Sequence, residues 1–160
     1  MLRTLLLSTI FVTGSAAANA QEAATVDISI STHVSVNYGD NASEWANDDE
    51  CDDRRFRGEG MSVSSGFVKD DIAHDADDCR EQFNQGRVSV WLEVLAREAT
   101  QCEAIDFGDN SSEWSDDGEC DDMRFEGRGS ADSVVPDDTG KDANDCRALC
   151  EQSMIFLRDY

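Results

Sequence analysis

The residues with the clearest capacity for chemistry are carboxylates crowded around four cysteines. Asp48, Glu50, Asp52 and Asp53 surround Cys51, and Asp70, Asp71, Asp75 and Asp78 lead to Cys79. The arrangement returns as Asp117, Glu119, Asp121 and Asp122 around Cys120, with Asp137, Asp138, Asp142 and Asp145 before Cys146. Joining each pair of cysteines draws two acidic loops together. Two bare carboxylates about 4 Å apart repel by roughly 4 kcal/mol at an effective dielectric near 20. A hard divalent cation removes that repulsion. Calcium takes roughly six to eight oxygen ligands in flexible geometry, so it is the expected ion, about two per chain. The expected ligands are Asp48, Asp52, Asp75 and Asp78 in one set and Asp117, Asp121, Asp142 and Asp145 in the other. Magnesium, with stricter geometry, comes second. Zinc prefers thiolate and imidazole, and the histidines do not supply it. His74 is matched by Lys141 in the second set, and His33 falls on the polar side of an alternating segment.

The two sets belong to an internal repeat. Residues 37–56 align with 106–125, as Cys51 does with Cys120, and 13 of the 20 positions are identical. After a gap of two, Asp75-Ala76-Asp77-Asp78-Cys79-Arg80 matches Asp142-Ala143-Asn144-Asp145-Cys146-Arg147. Duplication of this kind signals two copies of one supersecondary unit. It also selects disulfides. Cys51–Cys79 and Cys120–Cys146 close each copy on itself, and Cys102 and Cys150 remain to pair with each other. There is no Cys-x-x-Cys, which argues against a redox-active pair.

The elements that must position these groups are short. Residues 1–20 read as a signal peptide, with a basic start, an apolar core and Ala18-Asn19-Ala20 before Gln21. Export implies an oxidising compartment, periplasmic or extracellular, and no membrane span is expected. Residues 21–36 form an N-terminal segment in which 26–36 alternate as a strand. The period predicts a helix over 78–85 stopped by Gly86, and a strand over 88–94, with a helix reaching Ala99 as the alternative. Residues 154–157 hold the matching place in the second copy. Trp45, Trp114, Phe56 and Phe125 are the expected small apolar cores, with an aromatic ligand platform as the other reading of the tryptophans. Gly39-Asp40-Asn41 and Gly108-Asp109-Asn110 suit turns, with Ser43 and Ser112 as helix caps. Arg55 and Arg124 are placed to neutralise an aspartate. The expected fold class is a small disulfide-rich α+β/irregular one. Two tandem loop-rich modules, 37–95 and 96–160, carry short helices and are attached to a few β-strands.

A net charge of −22 excludes a direct nucleic-acid binder, which needs clustered Lys and Arg. No EF-hand loop, nucleophile elbow, His-Glu-x-x-His or phosphate loop is present. A solvated, salt-adapted surface explains part of the acidity, but not its fixed spacing around cysteines.

Asp117-Gly118-Glu119-Cys120-Asp121 with Asp142-Ala143-Asn144-Asp145-Cys146 resembles the calcium-binding Notch repeat, which runs Asp-Gly-x-Cys-Asp and ends Asp-Gly-Gly-Asp-Cys. Asp48-Asp49-Glu50-Cys51-Asp52 and Asp75-Ala76-Asp77-Asp78-Cys79 are the first-copy counterparts. The resemblance implies that Asp75, Asp78, Asp142 and Asp145 ligate calcium. A Notch repeat has six cysteines where each copy here has two, with Arg55-Phe56 and Arg124-Phe125 standing where others would be. The whole unit is also similar to duplicated Trp-x-x-Asp-Gly-Glu-Cys-Asp-Asp-x-Arg-Phe…Asp-Ala-x-Asp-Cys modules of exported bacterial proteins. The expected function is that of a non-catalytic, calcium-binding exported protein that binds a protein or surface ligand or serves structurally. The alternatives are an acidic decoy or inhibitor of a basic partner, and a carboxylate-based hydrolase.

Overall fold

The computed structural model describes Ser35–Tyr160 as one compact unit. The predicted signal peptide and most of the strand predicted over 26–36 lie outside the described residues. Ser35 and Val36, which are described, are not in a strand.

The first copy runs through strands β1 (Phe56–Gly58) and β2 (Phe67–Val68), a 3-10 turn at Lys69–Asp71, helix α1 (Ala76–Asn84) and strand β3 (Val88–Val90). Helix α2 (Glu93–Ala99) and a 3-10 turn at Cys102–Ala104 lead on. The second copy follows with β4 (Cys120–Asp122), β5 (Phe125–Gly127), β6 (Ser130–Val135), a 3-10 turn at Pro136–Asp138, α3 (Ala143–Glu151) and β7 (Ile155–Leu157). The chain forms a small α+β structure carrying three disulfides, Cys51–Cys79, Cys120–Cys146 and Cys102–Cys150. The first two are the pairs the repeat predicts, and the third joins the two cysteines it leaves over.

The strand expected over 88–94 ends at Val90, and the helical alternative takes over to Ala99. Alternation misleads here because only Val88 of that run is buried. Leu92 and Val94 are exposed, so their spacing reports no sheet face. Helix α1 matches its expected span, with Gly86 at φ +71° just beyond it. Gly39 and Gly108 are required by close approach. A Cβ on Gly39 would sit 1.8 Å from the Ala73 carbonyl oxygen, and one on Gly108 would sit 1.9 Å from that of Gly140. Asp40 and Asp109 donate their amides to those same carbonyls, which stitches each acidic loop to the segment before its helix.

Three small sheets hold the unit together. β1 pairs with β3 and β5 with β7, both antiparallel. In the third sheet, β6 lies between β2 and β4, so it joins the two copies. Its register pairs Phe67 with Val134. The gap of two sets the later offset at 67, as from Cys79 to Cys146, so these two are repeat equivalents. The copies therefore meet about a local twofold. One core gathers Cys51, Phe56, Met61, Phe67, Cys79 and Val88 with Ala131 and Val134 from the other copy. The second gathers Phe107, Cys120, Phe125, Ala143, Cys146, Cys150 and Ile155.

The join is polar as well as apolar. Glu126 Oε2 accepts from Arg54 Nε at 2.7 Å and from Arg158 Nη1 at 2.6 Å, and both arginines are almost fully buried. Arg54 Nη1 also donates to the Ala131 carbonyl, and Arg158 Nη2 to that of Phe56. Burial pushes the Arg158 guanidinium down to about 10. Removing the anion of a buried ion pair typically costs about 3–5 kcal/mol. Glu126→Gln is therefore expected to lower unfolding stability by about that much. Urea denaturation measures it, and a midpoint within error of the wild type would contradict it.

Candidate metal centres

Three aspartates are buried in both copies, Asp52, Asp53 and Asp75 in the first and Asp121, Asp122 and Asp142 in the second, with Asp71 and Asp78 buried in the first copy alone, and the surroundings of the shared three divide them. Asp53 and Asp122 are fully satisfied. Asp53 accepts from Arg55 Nε and Nη2, from the Arg55 amide and from the Ala73 amide. Asp122 accepts the same set from Arg124 and Gly140. Arg55 and Arg124 thus neutralise an aspartate two residues away, as expected.

The other two are not satisfied. Asp75 precedes α1 in the N-cap position but makes no side-chain cap bond to it. Its Oδ2 reaches across instead and accepts the Asp52 amide at 2.7 Å. Asp142 does the same for the Asp121 amide at 2.9 Å. The remaining oxygens, Asp75 Oδ1 and Asp142 Oδ1, are buried without a hydrogen-bond partner, as are Asp52 Oδ2 and Asp121 Oδ2. All four side chains are more than nine-tenths buried. Burial pushes Asp52, Asp75 and Asp121 up to about 7 and Asp142 up to about 6, and neighbouring carboxylates add to it. Asp48, Asp71 and Glu50 press on Asp52; Asp117, Asp142, Asp138 and Glu119 press on Asp121.

Of the other expected ligands, Asp78 and Asp145 hold the loop. Asp78 Oδ2 accepts from the amides of Asn47 and Asp48, and Asp145 Oδ2 from that of Gly118. Asp48 and Asp117 are exposed and cap their own loops, each accepting from the amide two residues on. The loops are sharply coiled, with Asn47, Asp49, Asp116 and Gly118 all at positive φ. Sequence reasoning left Asp71 and Asp138 out of the ligand set. Their recurrence in both copies was the available signal.

Among the described residues, the tightest metal-type groupings are Cys51–Asp75–Cys79 and Cys120–Asp142–Cys146. Their sulfurs are joined as disulfides, so neither grouping offers thiolates and neither is a soft-metal site. The contact of 3.4 Å between Cys79 Sγ and Asp75 Oδ2 cannot be a hydrogen bond for the same reason. What remains is oxygen chemistry from a buried carboxylate pair with acidic loops beside it. That donor set suits a hard cation.

Of these four carboxylates, Asp52 and Asp121 line open clefts, and Asp75 and Asp142 do not. One, of about 510 Å³, is lined by Trp45, Asp52, Ser65, Asp70 and Asp71 among others. Its counterpart, of about 310 Å³, is lined by Trp114, Asp117, Glu119, Asp121 and Asp138 among others. Trp45 and Trp114 are 46% and 53% exposed. They are not core residues, contrary to expectation, and stand beside the clefts. Phe56 and Phe125 are buried as expected, each stacked on an aromatic from its own loop, Tyr38 and Phe107. Ser43 and Ser112 cap turns rather than helices, accepting from the Trp45 and Trp114 amides.

No protein-family model, curated protein or solved structure matches this chain. The three disulfides point to an oxidising, exported setting, and no described helix is long and apolar enough to cross a membrane.

Proposed function

We propose that the chain is an exported, non-catalytic repeat protein, periplasmic or secreted, whose two modules each fold around a calcium ion. Its role is to bind a protein or surface ligand, or to serve as a structural unit. The observation that carries this reading is the duplicated pair of buried, partnerless carboxylate oxygens, Asp52 with Asp75 and Asp121 with Asp142. Buried charge without a partner is strongly unfavourable, and a divalent cation supplies the partner to both members at once. Exposed Asp48 and Asp117, backbone carbonyls and water would complete the shell. The likeness of the segments ending at Cys79 and Cys146 to the Notch closing motif supports the same ion.

The carboxylate-hydrolase alternative has less support. Acid–base work needs two carboxyls whose environments push them apart. Here Asp52 and Asp75 are both pushed up to about 7, by burial in each case. The decoy alternative draws support from the tryptophans beside the acidic clefts, because an indole face attracts a lysine or arginine head group. Salt-sensitive capture of a cationic protein would favour it.

Melting in calcium and in chelator tests the main reading. An ion at about 100 times its Kd stabilises by about 2.7 kcal/mol per site, so calcium should raise the melting temperature clearly. Asp75→Asn and Asp142→Asn should each remove part of that rise. Identical melting curves with and without calcium would overturn the proposal.

A further inference from the structure

The two acidic clefts share one face of the central sheet. Phe67 and Val134, directly opposed in the β2–β6 ladder, are buried in the core. Their neighbours Val68 and Ser133 are also directly opposed. Side chains alternate along a strand, so both stand on the other face. Val68 lines the first cleft and Ser133 the second. The local twofold thus sets two similar recesses on one surface, flanking the strand pair.

The charged groups in their walls are all acids. Glu44, Asp52, Asp70 and Asp71 line the first cleft, and Asp117, Glu119, Asp121, Asp132 and Asp138 the second. Among the described residues, only Asp132 of these forms an ion pair, with Lys69. Acidity alone would be no more than a solvated surface. Two further observations point to a ligand. Asp52 and Asp121 are more than nine-tenths buried, and each keeps an oxygen without a hydrogen-bond partner in a wall that holds no cation. Each cleft is also lined by an indole, Trp45 or Trp114, that is about half exposed and belongs to neither core. A tryptophan held in water at the same place in both copies is not explained by packing. An indole face and carboxylates attract the same kind of group, a cation.

Size and donor pattern narrow the class. The clefts measure about 510 and 310 Å³, whereas one water occupies about 30 Å³, so a bare ion would leave the indoles untouched. A neutral ligand would leave the acids unpaired. In the first cleft, Asp52 and Asp71 approach from separate segments, the loop after Cys51 and the 3-10 turn. An ammonium, with its three rotatable donors, suits dispersed acceptors better than a planar guanidinium does. We infer that this face docks a basic segment of a partner protein, with one lysine head group in each cleft against Trp45 or Trp114. The inference deepens the partner-binding role proposed above and rests on that role, not on the bound ion. The two are compatible, because Asp75 and Asp142 lie outside the cleft walls and an ionised carboxylate such as Asp52 has about four lone-pair sites.

The test is nuclear magnetic resonance of the oxidised exported chain, in excess calcium and physiological salt, followed at the indole N–H signals. The probe is a flexible glycine–serine peptide carrying several lysines. The same peptide with every lysine acetylated, and free spermidine, are the controls. The Trp45 and Trp114 signals are expected to shift saturably. That of Trp91, whose Nε1 donates to the Leu157 carbonyl at 3.1 Å and which lines neither cleft, should stay in place. Both controls should bind at least tenfold more weakly. Trp45→Ala combined with Trp114→Ala should weaken the peptide at least tenfold, although the net charge is unchanged, and retained amide dispersion shows that this variant is folded. Failure of either cleft indole to shift, equal binding of the acetylated peptide or of spermidine, or full affinity in the folded double variant would each overturn the inference. Lysine shifts without any calcium-dependent rise in melting would count against the ion alone, and the rise without the shifts would count against this inference alone.

Discussion

Reducing the disulfides is expected to unfold the chain at room temperature. The strands are two to six residues long and the acidic loops carry little apolar mass, so few contacts oppose their conformational entropy. The bonds close loops spanning 28, 48 and 26 positions. On the chain-entropy model a loop of this size contributes about 3–4 kcal/mol, against roughly 5–15 kcal/mol for the whole stability of a domain. Cys120–Cys146 lies inside the Cys102–Cys150 loop, so these two do not act independently. Cys51–Cys79 stands alone, and its double serine variant should lose about 3–4 kcal/mol by itself. That variant should also lose the first cation site, because Asp52 follows Cys51 directly and Asp75 sits one helical turn before Cys79. Loss of near-ultraviolet circular dichroism on adding thiol reports the unfolding. A native spectrum in full reductant would contradict the prediction.

The second large effect is an inverted pH dependence in chelator. Asp52, Asp75 and Asp121 are pushed up to about 7, and Asp142 to about 6, from an unfolded value near 3.8. Between those limits the folded chain holds more protons than the unfolded one, so stability must fall as pH rises. An ordinary acidic protein held by ion-paired carboxylates behaves the other way. Without an ion, the chain should melt highest near pH 4–5 and lose stability up to about pH 7. With four groups contributing, the drop should exceed about 5 °C, since 1 kcal/mol moves the melting temperature of a domain by several degrees. Calcium should abolish the drop, because its binding replaces the protons. A chelated protein that gains stability from pH 5 to pH 7 would show that these carboxylates are not buried as described.

How much of this was legible in the sequence depended on what the repeat could report. Duplication picked out Cys51–Cys79 and Cys120–Cys146, because a residue constrained in both copies appears twice, and left Cys102 to pair with Cys150 as the remainder. It picked out Arg55 and Arg124 for the same reason, two positions from Asp53 and Asp122. It could not say whether a recurring residue faces the core or the solvent, and Trp45 and Trp114 were misread on that point. It was also blind to what differs between copies. Arg54 and Glu126 lie where the alignment fails, and they pair across the join. The pairing of β2 with β6 was hidden too, since a two-residue strand leaves no period. The site itself was half visible. The aspartates were identifiable by type and spacing. That Asp52 and Asp75 would be left with an unpartnered oxygen, while Asp53 between them in sequence is saturated by Arg55, required the fold.

The most direct measurement of the central claim is calorimetric titration of the oxidised chain, stripped of metal, with calcium at pH 7.5. Two binding events are predicted, one lost in Asp52→Asn and the other in Asp121→Asn, with each variant still folded. A flat titration of a folded chain, or full binding retained in both variants, would contradict the account.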